Sequence, residues 1–151
     1  MAIVAANAET VIADIEERLT GSGAGLSLNL ANRIELHSAM AKTLAHQLVS
    51  VHISTTVNDQ RSRRQLGRTR VTDTIEVQMT YRVQPHDQRT SRNEALALAR
   101  GIRERLTGHE SSWLYEIMHT RTERGPHPNT VEYYLIRQQF SLQRHASLGE
   151  G

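Results

Sequence analysis

The chain has 151 residues, 38% hydrophobic and only 4% aromatic, with a formal net charge of +2 and no cysteine. Disulfides and thiolate metal sites are therefore excluded, and no run approaches the ~18 apolar residues of a membrane span. Met1 to Ala6 lacks the basic flank and apolar run of a signal peptide, so a soluble product of the cytoplasm is expected.

The length suits a single domain over 1–151 that buries roughly 68–70% of its extended surface. With so few aromatics, the core has to come from Leu, Ile, Val, Met and Ala, and such a thin core often completes its burial against partners. The basic set is seventeen arginines and one lysine, Lys42. Arginine's planar fork of donors suits carboxylates and phosphates at contacts, although GC-rich coding enriches it equally.

In chain order, Val11, Ile12, Ile15 and Leu19 recur at helical spacing and Gly21 follows them, which predicts a helix over 8–20. Its outer face is acidic: Glu9, Asp14, Glu16 and Glu17 stand against Arg18, a net −3 for residues 1–20. Gly21 to Gly25 reads as a joint. It fails the dinucleotide fingerprint because Leu26 occupies the third glycine position and the stretch follows a helix, not a strand. Residues 30–46 predict a second helix, from an Asn32/Glu35 capping box and Leu36, Met40 and Leu44 four apart.

The period then changes to two. Val49, Val51, Ile53, Thr55 and Val57 alternate with polar residues as a half-buried strand. The next strand places Val71, Ile75, Val77, Met79, Tyr81 and Val83 on one side, with Asp73 the exception. At about 3.3 Å per residue its fourteen residues span roughly 45 Å, so it is expected to overhang the core as part of a long β-hairpin arm. Pro85 ends it. Ser91 and Glu94 predict a capping box for a helix over 92–107, with Ala95, Leu98, Ala99, Ile102 and Leu106 inward and Arg92, Arg100, Arg103 and Arg105 wet. Strands over 113–123 and 130–143 follow, joined by a turn at 124–129. The tail from His145 onward is expected to fray. The order α-α-β-β-α-β-β predicts an α+β domain, a mainly antiparallel four-stranded sheet with helices on one face.

Motifs for chemistry are missing. Lys42-Thr43 lacks the preceding glycine of a phosphate loop, and no H-E-x-x-H or G-x-S-x-G occurs. The eight histidines include no i,i+4 pair, leaving only a cluster across strands, for instance His52 with His119, as a route to a metal site. No enzyme, cofactor or metal is expected. The one strong local feature is 58–70, where Arg61, Arg63, Arg64, Arg68 and Arg70 face only Asp59, a net +4 in thirteen residues. It is either a solvated loop or a partner-binding arm, for acidic protein surface or for DNA phosphate. Without aromatics it cannot stack bases, so any DNA contact would be blind to sequence. Opposite charge on the first helix and on this loop suits head-to-tail contacts between copies.

The strand Thr74 to Val83, the helix beginning near Arg92 and the terminal strand Tyr133 to Phe140, in this order over about 8–143, resemble the tail terminator (tail-completion) proteins of long-tailed bacteriophages. The resemblance implies a virion protein that forms a ring, usually hexameric. Such a ring caps the tail tube protein's polymer, meets the neck connector protein and lets DNA pass through its lumen. It brings no catalytic residues. Another phage neck or connector protein, or a sequence-nonspecific DNA-binding module, is the alternative.

Overall fold

The structure is a computed structural model and describes residues 6–21, 26, 28–30, 48–58, 68–83, 87–109, 113–127 and 130–147. Helix α1 (Ala8–Thr20) is followed by a two-residue strand β1 (Asn29–Leu30), then β2 (Leu48–Asn58) and β3 (Arg68–Arg82). Helix α2 (Gln88–Thr107) leads to β4 (Leu114–His127) and β5 (Thr130–Ser147). The sheet order is β1-β2-β3-β5-β4, antiparallel except for the β1–β2 pairing. The α+β class and the four long antiparallel strands are as expected. The helix predicted over 30–46 lies outside the described residues, apart from Leu30, which is in β1.

Helix α1 begins where predicted because Asn7 caps it: its Oδ1 accepts from the Thr10 backbone N–H at 2.9 Å and from the Thr10 hydroxyl at 2.8 Å. Val11, Ile15 and Leu19 are buried on its inner stripe. Helix α2 starts four residues before the expected site. Asp87, not Ser91, is its N-cap and accepts from Thr90 N–H. The Ser91/Glu94 box does not form, because Ser91 instead donates to the Asp87 carbonyl and Glu94 is taken by the Tyr81 phenol.

Both helices pack on one face of the sheet. Val49, Val51, Ile75, Val77, Met79, Ile136, Phe140 and Leu142 meet Val11, Ile15, Leu19, Ala95, Ala99, Ile102 and Leu106 in one cluster. The small residues of α2 allow a close seat, and Gln138 reaches from the sheet to donate to the Ala99 carbonyl at 2.9 Å. The helices are tied side by side by a reciprocal pair of bonds: Arg18 Nε donates to the Arg105 carbonyl and Arg105 Nε to the Arg18 carbonyl, each at 3.1 Å.

Four expectations about the strands are corrected. Ser54 is an extra residue in β2, between Ile53, opposite Ile75, and Thr55, opposite Thr74. The bulge flips the alternation, so Val57 faces away from the helices at 61% exposure while Thr56 turns inward. The hairpin from β2 to β3 is long, but β3 is paired with β5 from Arg68 to Arg82, so its described part is the centre of the sheet and does not overhang it. The tail does not fray at His145: β5 runs to Ser147, because β3 supplies partners as far as Arg68. The carbonyl of His145 also accepts from Ala6 N–H, and its own N–H donates to the Trp113 carbonyl. Likewise, β4 runs through the expected 124–129 turn to His127.

Tyr81 carries a pH-dependent link between sheet and helix. Burial, then its hydrogen bond to Glu94 and the charge of Glu94, push its phenol up to about 12. A raised pKa contributes stability that is complete below the ordinary value near 10 and is lost as pH rises through 12. Spectrophotometric titration of the folded chain should show one tyrosine ionising near 12. Tyr81→Phe should remove that step and flatten stability between pH 10 and 12; an unchanged titration would break the link.

Candidate interaction surface

Of the five arginines predicted to bind partners, Arg61, Arg63 and Arg64 lie outside the described residues. Arg68 opens β3 opposite Ser147, and Arg70 stands two residues on opposite His145, half-buried on the face away from α1 and α2. These two therefore belong to the sheet itself, at the end where the β2–β3 hairpin and the end of β5 meet.

Beneath them lies a group that sequence reasoning missed. Arg144 and Asp73 are wholly buried on the helix side and pair at 2.6 Å through Nε and Oδ2. Thr56, turned inward by the bulge, donates to Asp73 Oδ1 at 2.6 Å. A second guanidinium nitrogen of Arg144 donates to the Ala6 carbonyl, just before α1. One ion pair thus clamps β2, β3, β5 and the chain entering α1. Burying two charges favours folding only when geometry and extra hydrogen bonds are good, as here. The arrangement is structural, since no side chain of the pair reaches solvent.

A second polar node joins the helical layer to the start of β4. Asp14 Oδ2 accepts from Trp113 Nε1 at 3.0 Å and lies 3.1 Å from His109 Nε2. The acidic residue read from the sequence as surface charge thus holds His109, after α2, and Trp113, before β4.

Metal chemistry finds no centre among the described residues: no three His, Asp or Glu side chains converge. His52, on β2, faces away from the helices beside Glu76 at 3.7 Å. His119, on β4, faces the helix side, with its ring against Phe140 and Nε2 2.6 Å from the Thr122 hydroxyl. Burial, and then the nearby Arg103 charge, lower its pKa. No described helix is long and apolar enough to cross a membrane.

What remains is surface. The sheet face away from α1 and α2 is polar and half-buried at Thr72, Thr74, Glu76, Arg137, Gln139, Ser141 and Gln143, whereas Ser50, Gln78, Thr80, Tyr133 and Leu135 on the same face are buried, and Val57 and Met118 are its exposed large apolar residues among those described. Among the described residues, β4 has no partner on its outer edge, and β2 is covered on its own only at Leu48 and Val49. Bulges at Tyr115 and Thr120 and the charges of Arg121, Glu123 and Arg124 break the flatness of the β4 edge. Between α2 and β4 runs a groove of about 290 Å³ lined by Arg100, Arg103 and Arg124.

No family model matches the chain, and no curated protein matches it. A chain of a solved structure described as the virion of a native gene transfer agent particle is similar in fold. The TM-score is 0.56 at 12% identity, over 87% of this chain and 92% of that one. At that identity the likeness is one of fold.

Proposed function

We propose that this chain is a structural virion protein, not an enzyme, that forms a homo-oligomeric ring. The ring caps the phage tail tube and joins it to the neck connector, with DNA passing its lumen. The observation that carries the reading is the near end-to-end fold likeness to a chain of a gene transfer agent virion. It agrees with the tail terminator resemblance, which arose from element order alone. The sheet adds physical support: a tube growing by addition of rings presents strand edges and polar loops to the next ring, and a protein with irregular edges of its own can dock on that end without continuing the polymer.

A sequence-nonspecific DNA-binding module is the second reading, favoured by the arginines of 58–70 and of the α2–β4 groove. The two separate in one experiment. Negative-stain microscopy and light scattering on the purified chain, with and without isolated tail tubes, should show rings or ring-capped tube ends. A solitary chain that ignores tubes but binds duplex DNA, with log affinity falling linearly against log salt, would replace the first reading with the second.

A further inference from the structure

We infer that the groove between α2 and β4 is the receptor for the acidic flank of α1 from a second copy of this chain. The inference rests on the ring reading and identifies the contact that would build the ring. In the groove, Arg100 and Arg103 stand one helical turn apart on α2 and Arg124 lines it from β4, with Leu96, Ala97 and Thr122 beside them. The ion pairs among the described residues are His52–Glu76, His109–Asp14, Arg121–Glu123 and Arg144–Asp73. None neutralises the three groove guanidiniums, and the charge of Arg103 is felt by His119. Three arginines lining one groove, with no ion-pair partner among the described residues, call for an anionic partner. The groove has no aromatic lining, so nothing in it would grip bases.

Helix α1 has the matching surface. Glu9, Ala13 and Glu17 are exposed at four-residue intervals, with Glu16 half-buried beside them. This row is about 12 Å long at 1.5 Å per residue, with a small residue at its centre that lets it approach a groove floor. The two surfaces lie apart on the chain: α1 packs over β1 and β2 while α2 packs over β3, β5 and β4, and the Glu9–Glu17 row points away from the sheet, opposite the buried Val11, Ile15 and Leu19. Patches so placed do not meet within one chain. They join copies head to tail, an arrangement that closes into a ring when the rotation allows.

The test is a charge exchange read by sedimentation velocity at low and moderate salt, with circular dichroism confirming that each variant folds. Arg100→Glu with Arg103→Glu, and separately Glu9→Arg with Glu17→Arg, should each weaken self-association about 100-fold, since like charges then face each other. Mixing the two variants restores opposite charge at every junction and should restore assembly. Wild-type rings with both variants assembling as well as wild type would overturn this contact and leave the ring reading standing. Variants that dissociate but are not rescued by mixing would also overturn the pairing. A wild-type chain that stays monomeric at high concentration, with and without tail tubes, would overturn the ring reading and this inference with it.

Discussion

Replacing Arg144 with alanine should lower the unfolding free energy by about 3–5 kcal/mol, because the Asp73 carboxylate is left buried without its counter-charge. Both side chains are fully buried, so no water can take the place of the guanidinium without opening the sheet. The loss is also wider than one pair: Arg144 holds the Ala6 carbonyl ahead of α1, and the Thr56 bond to Asp73 depends on the bulge in β2. For a chain of this size the melting temperature should fall by roughly 6–20 °C, a large share of the ~5–15 kcal/mol that holds a typical domain together. The double variant Asp73→Leu/Arg144→Met removes both charges and should recover most of the loss, since a buried pair often adds little over apolar residues of similar volume. Denaturant melts of the three chains would decide it. If Arg144→Ala costs under about 1 kcal/mol, as for exposed ion pairs, the pair is not buried as described.

Phe140→Ala should cost a comparable ~3–5 kcal/mol by a different route, the cavity left where the ring was. Phe140 is fully buried and its strand, β5, runs between β3 and β4 beneath α2. It is also the only phenylalanine in a chain with 4% aromatic residues, so few large neighbours can relax into the space. Phe140→Leu should cost clearly less, because most of the volume is kept. The ring of His119 rests edge-on against Phe140, and burial is the first cause of its lowered pKa. Opening the cavity to water should therefore raise the His119 pKa back toward its ordinary value near 6.5, a shift readable by NMR titration. An alanine variant that melts like wild type, or an unmoved His119 titration, would mean that β5 does not run through the core.

The period-two pattern of β3 and the helical spacing of α1 were strong enough in the sequence to place both, since each buries one face on one partner layer. Three local events broke the pattern where sequence alone could not weigh them. In β2, Val57 continued an alternation that the Ser54 bulge reverses, and nothing in Ser54-Thr55-Thr56 marks where an extra residue is accommodated. At α2, Ser91 and Glu94 had the spacing of a cap, but Asp87 offered an earlier one and Tyr81, far off in sequence, took the glutamate. In β5, the inward pattern Phe140, Leu142, Arg144, Ala146 carries a charge at its third place, and a strand expected over 130–143 ends one residue short of it.

That omission hid the most telling clue. Asp73 was visible as a charge on an apolar face. A second strand with an opposite charge intruding on its own apolar face is the signature of a cross-strand pair, and it would have placed β5 beside β3. The interaction surface was less legible still. The arginines of 58–70 stand out because five of them fall within thirteen residues, whereas Arg100, Arg103 and Arg124 form a groove only once α2 is laid along β4. Helical spacing marked the first two as wet but said nothing of the strand that faces them.

For the proposed tail-end role, the most direct measurement is the length of tails assembled when the gene for this chain is deleted, read by electron microscopy of lysates. A protein that stops tube growth and joins it to the neck predicts headless tubes of irregular, often excessive length, corrected when the wild-type chain is supplied. Tails of normal length attached to filled heads would contradict that role.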